Sequence, residues 1–255
     1  MSSWPALNQE LDRWTEAGRR ATLWWRDDDA AHADPALDRL LALRRNLGLP
    51  LALAAMPALI DDDATAAIAG DSSAVVLQHG YAHHNHAGSG ERKAELAASR
   101  DPDVVMDELA AGWRRLESLF GDRALAVLVP PWNHIADDLL PRLGTTGYRG
   151  LSTYDARPRR LAAPGVALVN THIDIIDWRG HRGFVGDAAA LGLAVGHLEA
   201  RRRGDADPDE PTGLLSHHLA HDEASWDFID ALAGATRRHP AVDWLDARTI
   251  FADTP

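Results

Sequence analysis

The chain has 255 residues, 45% hydrophobic and 25% charged, with 26 basic and 38 acidic residues for a formal charge of −12. That length suits one large α/β domain or two small ones, and the acidic balance argues against a surface that tracks nucleic-acid phosphates. The absence of cysteine excludes disulfides, thiolate metal sites and cysteine nucleophiles together, so a metal would have to be held by histidine and carboxylate.

Residues 4–20 read as an amphipathic covering helix, with Leu7, Leu11 and Trp14 at helical spacing. This polar start carries no apolar signal core and no run reaches transmembrane length, so the expectation is a cytoplasmic protein without a membrane partner. Residues 21–25 form an apolar run that ends in Asp27, Asp28 and Asp29, the pattern of a buried strand delivering acids at its C-terminal end. Alone, the acid run also suits a solvated turn before a helix, but its recurrence at later strand ends favours the strand reading. Trp24 and Trp25 are read as core.

Asp34 and Pro35 open a helix that Gly48 closes. A second apolar strand, 49–56, follows. Asp61, Asp62 and Asp63 precede an alanine-rich helix, where acids complement the N-terminal dipole. A strand at 74–77 delivers His79 and His83, and a polar stretch at 87–101 leads to a helix at 102–120. Strand 125–129 ends in Pro130, Pro131, Trp132 and Asn133. A short helix (137–143), a strand (147–153) and a loop (157–164) come next. A strand at 166–170 is followed by Asp174, Asp177 and Trp178. After a helix at 187–203 and a Pro/Asp-rich loop, strand 213–216 delivers His217 and His218. A helix at 225–238 and a strand-like piece at 242–245 complete the chain. Such alternation without a long linker predicts a mostly parallel sheet with crossover helices, and roughly seven or eight such units favour a barrel. The basic runs at 157–160 and 201–203 lack interleaved aromatics and read as solvated loop.

His79 and His83, together with an acid from another strand end, make a set of two imidazoles and one carboxylate. Such a set binds a divalent ion with coordination positions left open; chance histidines in a polar loop are the alternative. The order of the clusters resembles the polysaccharide deacetylase superfamily (carbohydrate esterase family 4, the chitooligosaccharide-deacetylase homology domain). The likeness spans residues 22–222, with 1–20 as a covering helix and 223–255 as a C-terminal helix and strand. It implies an α/β fold, a distorted (β/α)7-type barrel in a single domain over 1–255.

The first family motif, Thr-Phe-Asp-Asp-Gly, falls on Arg26 to Ala30. In that register Asp28 is the general base and Asp29 a metal ligand; a shift by one would make them Asp27 and Asp28. The second, His-Ser/Thr-x-x-His, is met by His79 and His83 as ligands, with Gly80 in place of the hydroxyl residue. The third, Arg-x-Pro-Tyr-Gly, maps on 129–133 without its arginine, for which Arg26 is a candidate substitute. The Trp132 amide would be the oxyanion donor, a role independent of side-chain identity. Asp174 to Trp178 matches Asp-x-x-Asp-Trp letter for letter and makes Asp174 a catalytic candidate, with Asp155 as competitor. Leu215 to His217 matches Leu-x-His and makes His217 the general acid, ahead of His218 and His221. Trp178 and Leu215 would line the acetyl pocket.

The resemblance thus implies a metal-dependent hydrolase of non-peptide C–N bonds with one divalent ion, zinc in first place. It would remove an acyl group, N-acetyl above all, from a carbohydrate or related small amide. Asp28 would take the proton of the attacking water, and His217 would protonate the departing amine. A deformylase, an O-deacetylase or a cyclic amide hydrolase would use the same site. The missing arginine and Ala30 also leave open a non-catalytic carbohydrate-binding barrel.

Overall fold

The first strand, β1 (Ala21–Ala30), lies at the centre of the sheet and sets the two faces of the molecule. Side chains alternate across a strand. On β1, Leu23 and Trp25 enter a core beneath the helices, whereas Trp24 joins an inner core on the opposite face. Both tryptophans are buried as expected, but they serve different layers.

The computed structural model describes residues 2–252. Around β1 run β2 (Leu51–Ala55), β3 (Ala74–His79), β4 (Ala124–Val129), β5 (Gly150–Leu151), β6 (Leu161–Ala163), β7 (Val166–Leu168), β8 (Ile173–Asp174), β9 (Thr212–Ser216) and β10 (Val242–Trp244). Their order is β6-β7-β5-β4-β3-β2-β1-β9-β8, with β10 also pairing β1. All ladders are parallel except β6–β7. The helices are α1 (Trp4–Glu16), α2 (Pro35–Leu47), α3 (Asp62–Ala69), α4 (Pro102–Phe120), α5 (Leu140–Leu143), α6 (Asp187–Arg203), α7 (Glu223–Thr236) and α8 (Ala247–Ala252). None of them is long and apolar enough to cross a membrane.

The expected parallel α/β sheet is present, but no ladder closes it into a barrel. The Tyr154–Thr171 bridge continues the β5–β7 register. The same stretch of chain runs on into β8, where the His172 N–H donates to the Gly213 carbonyl of β9. Strands β5 and β8 have two residues each, so the ladders on the two sides of that stretch are short. The segment expected as loop at 157–164 contains β6, which folds back on β7 as a hairpin. The predicted strand at 147–153 shrinks to β5.

Local chemistry explains the helix ends. The Asp34 carboxylate accepts from the Ala36 and Leu37 N–H groups, and Gly48 closes α2 at φ 63°. Asp61 caps α3 through the Ala64 N–H, as the acid triplet led us to expect. Helix α8 had no sequence signal. Its Phe251 meets Trp24 edge-on, with ring centroids 6.1 Å apart, and plugs the inner face from below. Gly150 is required there, since a Cβ would stand 2.5 Å from the Phe251 ring. With the lower interior filled by Ala52, Ala54, Val75, Leu77, Val127 and Phe251, the upper interior is left for polar groups.

Candidate active site

The inward side of β1 continues from Trp24 to Arg26 and Asp28. Both are buried, and the Arg26 Nε and Nη2 donate to the two Asp28 oxygens at 2.8 and 3.0 Å. Arg26 Nη1 also donates to Ser152 Oγ at 2.6 Å, and Nη2 to Asn133 Oδ1 at 2.7 Å. A planar guanidinium bound in this bidentate way fixes the carboxylate plane. Arg26, the candidate substitute for the arginine missing at the third motif, thus holds Asp28 by both oxygens.

Asp27 faces the other way. It accepts from Ser216 Oγ at 2.6 Å and from the His218 N–H at 3.1 Å, and it pairs with the His218 ring. This network is fully buried on the helix side of the sheet. Strict alternation would send Asp29 to that side as well. Instead, the β1–β2 register slips between Asp27 and Ala30, and Asp29 takes φ 72°. One extra residue on β1 makes a bulge that re-aims its side chain. Asp28 and Asp29 therefore both reach the same cavity, which ordinary strand geometry would not allow.

His79 ends β3 on the inward side, in step with Val75 and Leu77. Its Nδ1–H donates to the Val129 carbonyl at 3.0 Å, and Nε2 faces Asp29 Oδ1 3.1 Å away, where a bound ion would take the place of the shared proton. His83 Nε2 lies 3.4 Å from the same oxygen. One donor atom from each of Asp29, His79 and His83 falls within 4.8 Å of the other two. Fixing the tautomer by a carbonyl is how a metal-ligating histidine is usually oriented, so the donor set suits a divalent ion. Burial alone would push the Asp29 carboxyl up, but the His79 bond and the charges of His79, His217 and His83 together hold it well below the usual range. Burial also pushes His83 down, toward the neutral form that a ligand requires.

Gly80 stands where the second motif carries a hydroxyl residue, and packing explains the change. It has φ 54°, and a Cβ would lie 1.9 Å from Glu95 Oε2 and 2.6 Å from Pro131 Cδ. The Glu95 carboxylate occupies that space and accepts from the Tyr81 and Ala82 N–H groups at 3.0 and 2.7 Å. Restoring the motif with Gly80→Ser is therefore expected to destabilise the protein by about 2 kcal/mol. Thermal unfolding would check this; an unchanged midpoint would contradict the account.

Asp174, at the end of β8, accepts from Trp178 Nε1 at 2.9 Å and the Ile176 N–H at 3.1 Å. Burial, helped by the nearby Asp28 charge, raises its pKa. Its competitor Asp155 is exposed and lies outside the cavity. His217 Nε2 is 3.9 Å from Asp28 Oδ2, and its ring meets Trp178 edge-on at 4.6 Å. His218 is turned to Asp27, and His221 packs against Trp226 at 4.2 Å, so only His217 of the three faces the cavity. Trp178 is 38% exposed, so it forms part of the mouth, not a closed acetyl slot. Leu215 is fully buried in β9 and does not reach the cavity wall.

The cavity has a volume of about 620 Å³. Besides the residues above, Arg92, Lys93, Tyr154, Arg179 and Arg182 line it, none of which the sequence reading had singled out. Among the described residues, six non-glycine residues have positive φ, and five of them, Asp29, His83, Trp132, Asn133 and Arg182, line this cavity. Such backbone is stored where surrounding structure over-determines it, commonly at functional sites.

A second histidine–carboxylate group, His172, His197 and Glu210, is buried elsewhere, with its rings stacked 3.4 Å apart. The Gly213 N–H donates to His172 Nδ1 at 3.0 Å, so the ring proton sits on Nε2, the atom facing Glu210 at 3.4 Å. A ligand nitrogen needs a lone pair at that atom. Burial pushes His197 down to about 2, so the two rings stack as neutral imidazoles, and His172, with its proton on Nε2, offers no lone pair toward Glu210.

No family model and no curated protein sequence matches the chain. Solved structures do. The Bc1960 peptidoglycan N-acetylglucosamine deacetylase, described in complex with an N-hydroxybenzamide, matches with TM-score 0.59 at 14% identity, covering 94% of this chain and 96% of that one. A Streptococcus mutans family 4 carbohydrate esterase matches with TM-score 0.58 at 12% identity, covering 94% and 91%. A family 4 acetyl xylan esterase from Clostridium thermocellum, described with a cobalt ion, matches with TM-score 0.54 at 13% identity, covering 91% and 90%. The chain has the fold of the polysaccharide deacetylases over nearly its whole length, as the five motifs imply.

Proposed function

We propose that this chain, on the fold it shares with the polysaccharide deacetylases, is a metal-dependent hydrolase that removes an acyl group, N-acetyl above all, from a carbohydrate or related small amide. The observation that carries this reading is the convergence of Asp28, Asp29, His79, His83, Asp174 and His217 from separate strand ends on one cavity. Asp29, His79 and His83 would hold one divalent ion, with zinc favoured by two imidazoles and a carboxylate. When bound, such an ion acidifies a water and polarises an acyl oxygen.

The residues then divide the proton work. Asp28, held by Arg26 on both oxygens, is the base that accepts a proton from the attacking water. His217, on the opposite side of Asp28, supplies the proton to the leaving amine. Asp174, kept in place by the Trp178 indole N–H, orients His217. The Trp132 amide, on its positive-φ turn, donates to the developing oxyanion. Trp132 and Trp178 offer flat faces to a sugar ring.

Metal content and acetate release test this directly. His79→Ala and Asp29→Ala are expected to lose both the bound ion and all measurable release of acetate. A variant that kept its ion and its turnover would sink the proposed ligand set. An ion-loaded wild type that releases no acyl group from amide or ester probes would leave the non-catalytic barrel as the better reading.

A further inference from the structure

The chain contains one lysine, Lys93, and it lines the cavity together with Arg92, Arg179 and Arg182. All four are exposed at its mouth. They form two pairs, each beside a tryptophan. Arg92 Nη2 donates to the Trp132 and Asn133 carbonyls at 3.1 and 3.2 Å, and the Lys93 ammonium lies 5.8 Å from the Trp132 ring. On the other side, the Arg182 guanidinium lies 5.8 Å from the Trp178 ring.

Charge pairing sets this cluster apart from the other basic runs. Arg157 binds Asp207 at 2.9 Å, Arg160 pairs with Asp207 and Asp209, Arg202 binds Glu10 at 2.6 Å, and Arg203 binds Glu199 at 2.6 Å. Among the described residues, Arg92, Lys93, Arg179 and Arg182 meet no carboxylate. The acids closest in sequence are committed elsewhere. Asp177 faces His181 at 3.3 Å and accepts from the Gly180 N–H, Glu91 accepts from the Gly88 N–H, and Glu95 accepts from the Tyr81 and Ala82 N–H groups. The floor differs in sign. Asp28 is held by Arg26, and Asp29 faces two imidazoles.

Four unneutralised cations at one cavity mouth, in a chain of charge −12, form a field that attracts an anion. We propose that this mouth is an anion subsite and that the substrate is an N-acyl sugar bearing a phosphate or carboxylate, not a neutral polymer. This rests on the hydrolase reading for the acyl end. The subsite itself needs only the rim: the sugar ring lies along Trp132 or Trp178, its acyl group points to the floor, and its anionic group meets the flanking cations.

The test is calorimetric titration of the full-length, metal-loaded protein carrying Asp28→Asn, so that no probe is consumed. The probes are N-acetylglucosamine, its 1-phosphate and 6-phosphate, and N-acetylmuramic acid. At least one anionic probe is expected to bind tenfold or more tightly than the neutral sugar, with the advantage shrinking as salt rises. Which one does so tells phosphate from carboxylate. Adding Lys93→Gln, Arg179→Gln and Arg182→Gln, all at exposed positions, is expected to erase the preference while leaving the unfolding midpoint unchanged.

Equal binding of all probes, or no binding of any, would overturn the subsite. A preference that survives the triple substitution would assign the anion to the floor ion instead. Acetate release by wild type with equal probe affinities would keep the hydrolase and remove the subsite. Rim-dependent anion binding without acyl release would do the reverse.

Discussion

Arg26→Met is expected to lower the unfolding free energy by about 3–5 kcal/mol, the range for breaking a buried ion pair from one side. For a chain of this size that is a fall in midpoint of roughly 10 °C. The guanidinium is fully buried and binds both oxygens of an equally buried Asp28. Its removal also strips a donor from Ser152 Oγ and from Asn133 Oδ1. The size of the loss comes from the carboxylate left behind, since an unpaired buried charge is worse than none. Combining Arg26→Met with Asp28→Leu should therefore restore part of the stability, although not activity. Denaturant unfolding of the three variants is the check. A single variant as stable as wild type would show that water enters and solvates Asp28, and the cavity floor would have to be redrawn.

Asp28→Asn carries the largest expected effect on turnover, a loss of about 10²–10⁴ fold, the usual contribution of a general base. The amide keeps the shape and one acceptor, but its NH2 meets an Arg26 N–H and the guanidinium loses its counter-charge. A loss of stability therefore accompanies the loss of turnover, while the Asp29, His79 and His83 ligands are untouched. Asp27→Asn makes the matched comparison. It sits one residue away but faces Ser216 and His218 on the helix side, so its substitution should weaken stability and leave the folded enzyme active. Acetate release and metal content on the same samples separate the two. Activity lost in Asp27→Asn and kept in Asp28→Asn would return the register to the shifted alternative.

These two experiments bear on the places where the amino-acid string was most ambiguous. Three consecutive aspartates offer two registers, and only the small Ala30 in the glycine position favours Asp28 and Asp29 over Asp27 and Asp28. The third motif lacks its arginine, and Arg26 had only proximity in sequence to recommend it. His217 stood ahead of His218 and His221 on the Leu-x-His match alone. The rim cations carried no signal at all, because Arg92 and Lys93 lie in an irregular stretch between β3 and α4, and Arg179 and Arg182 lie in a turn after β8. Helix α8 was missed because six residues carry too little periodicity to read.

What local sequence dictated was the alternation of strands and helices, the caps at Asp34, Gly48 and Asp61, and the residue types waiting at each strand end. All of these follow from side-chain periodicity and from backbone groups a few residues apart. Register, facing and closure did not follow, because they depend on strands far away in the chain. A one-residue bulge with a left-handed Asp29 turned that carboxylate from the helix side into the cavity. Ser152 and Asn133, more than a hundred residues from Arg26, supplied the acceptors that lock its guanidinium onto Asp28. Residues 166–174 join β5 to β9 through β7 and β8, with only short ladders on either side. Those are questions of which distant backbone lies alongside which, and only the assembled sheet answers them.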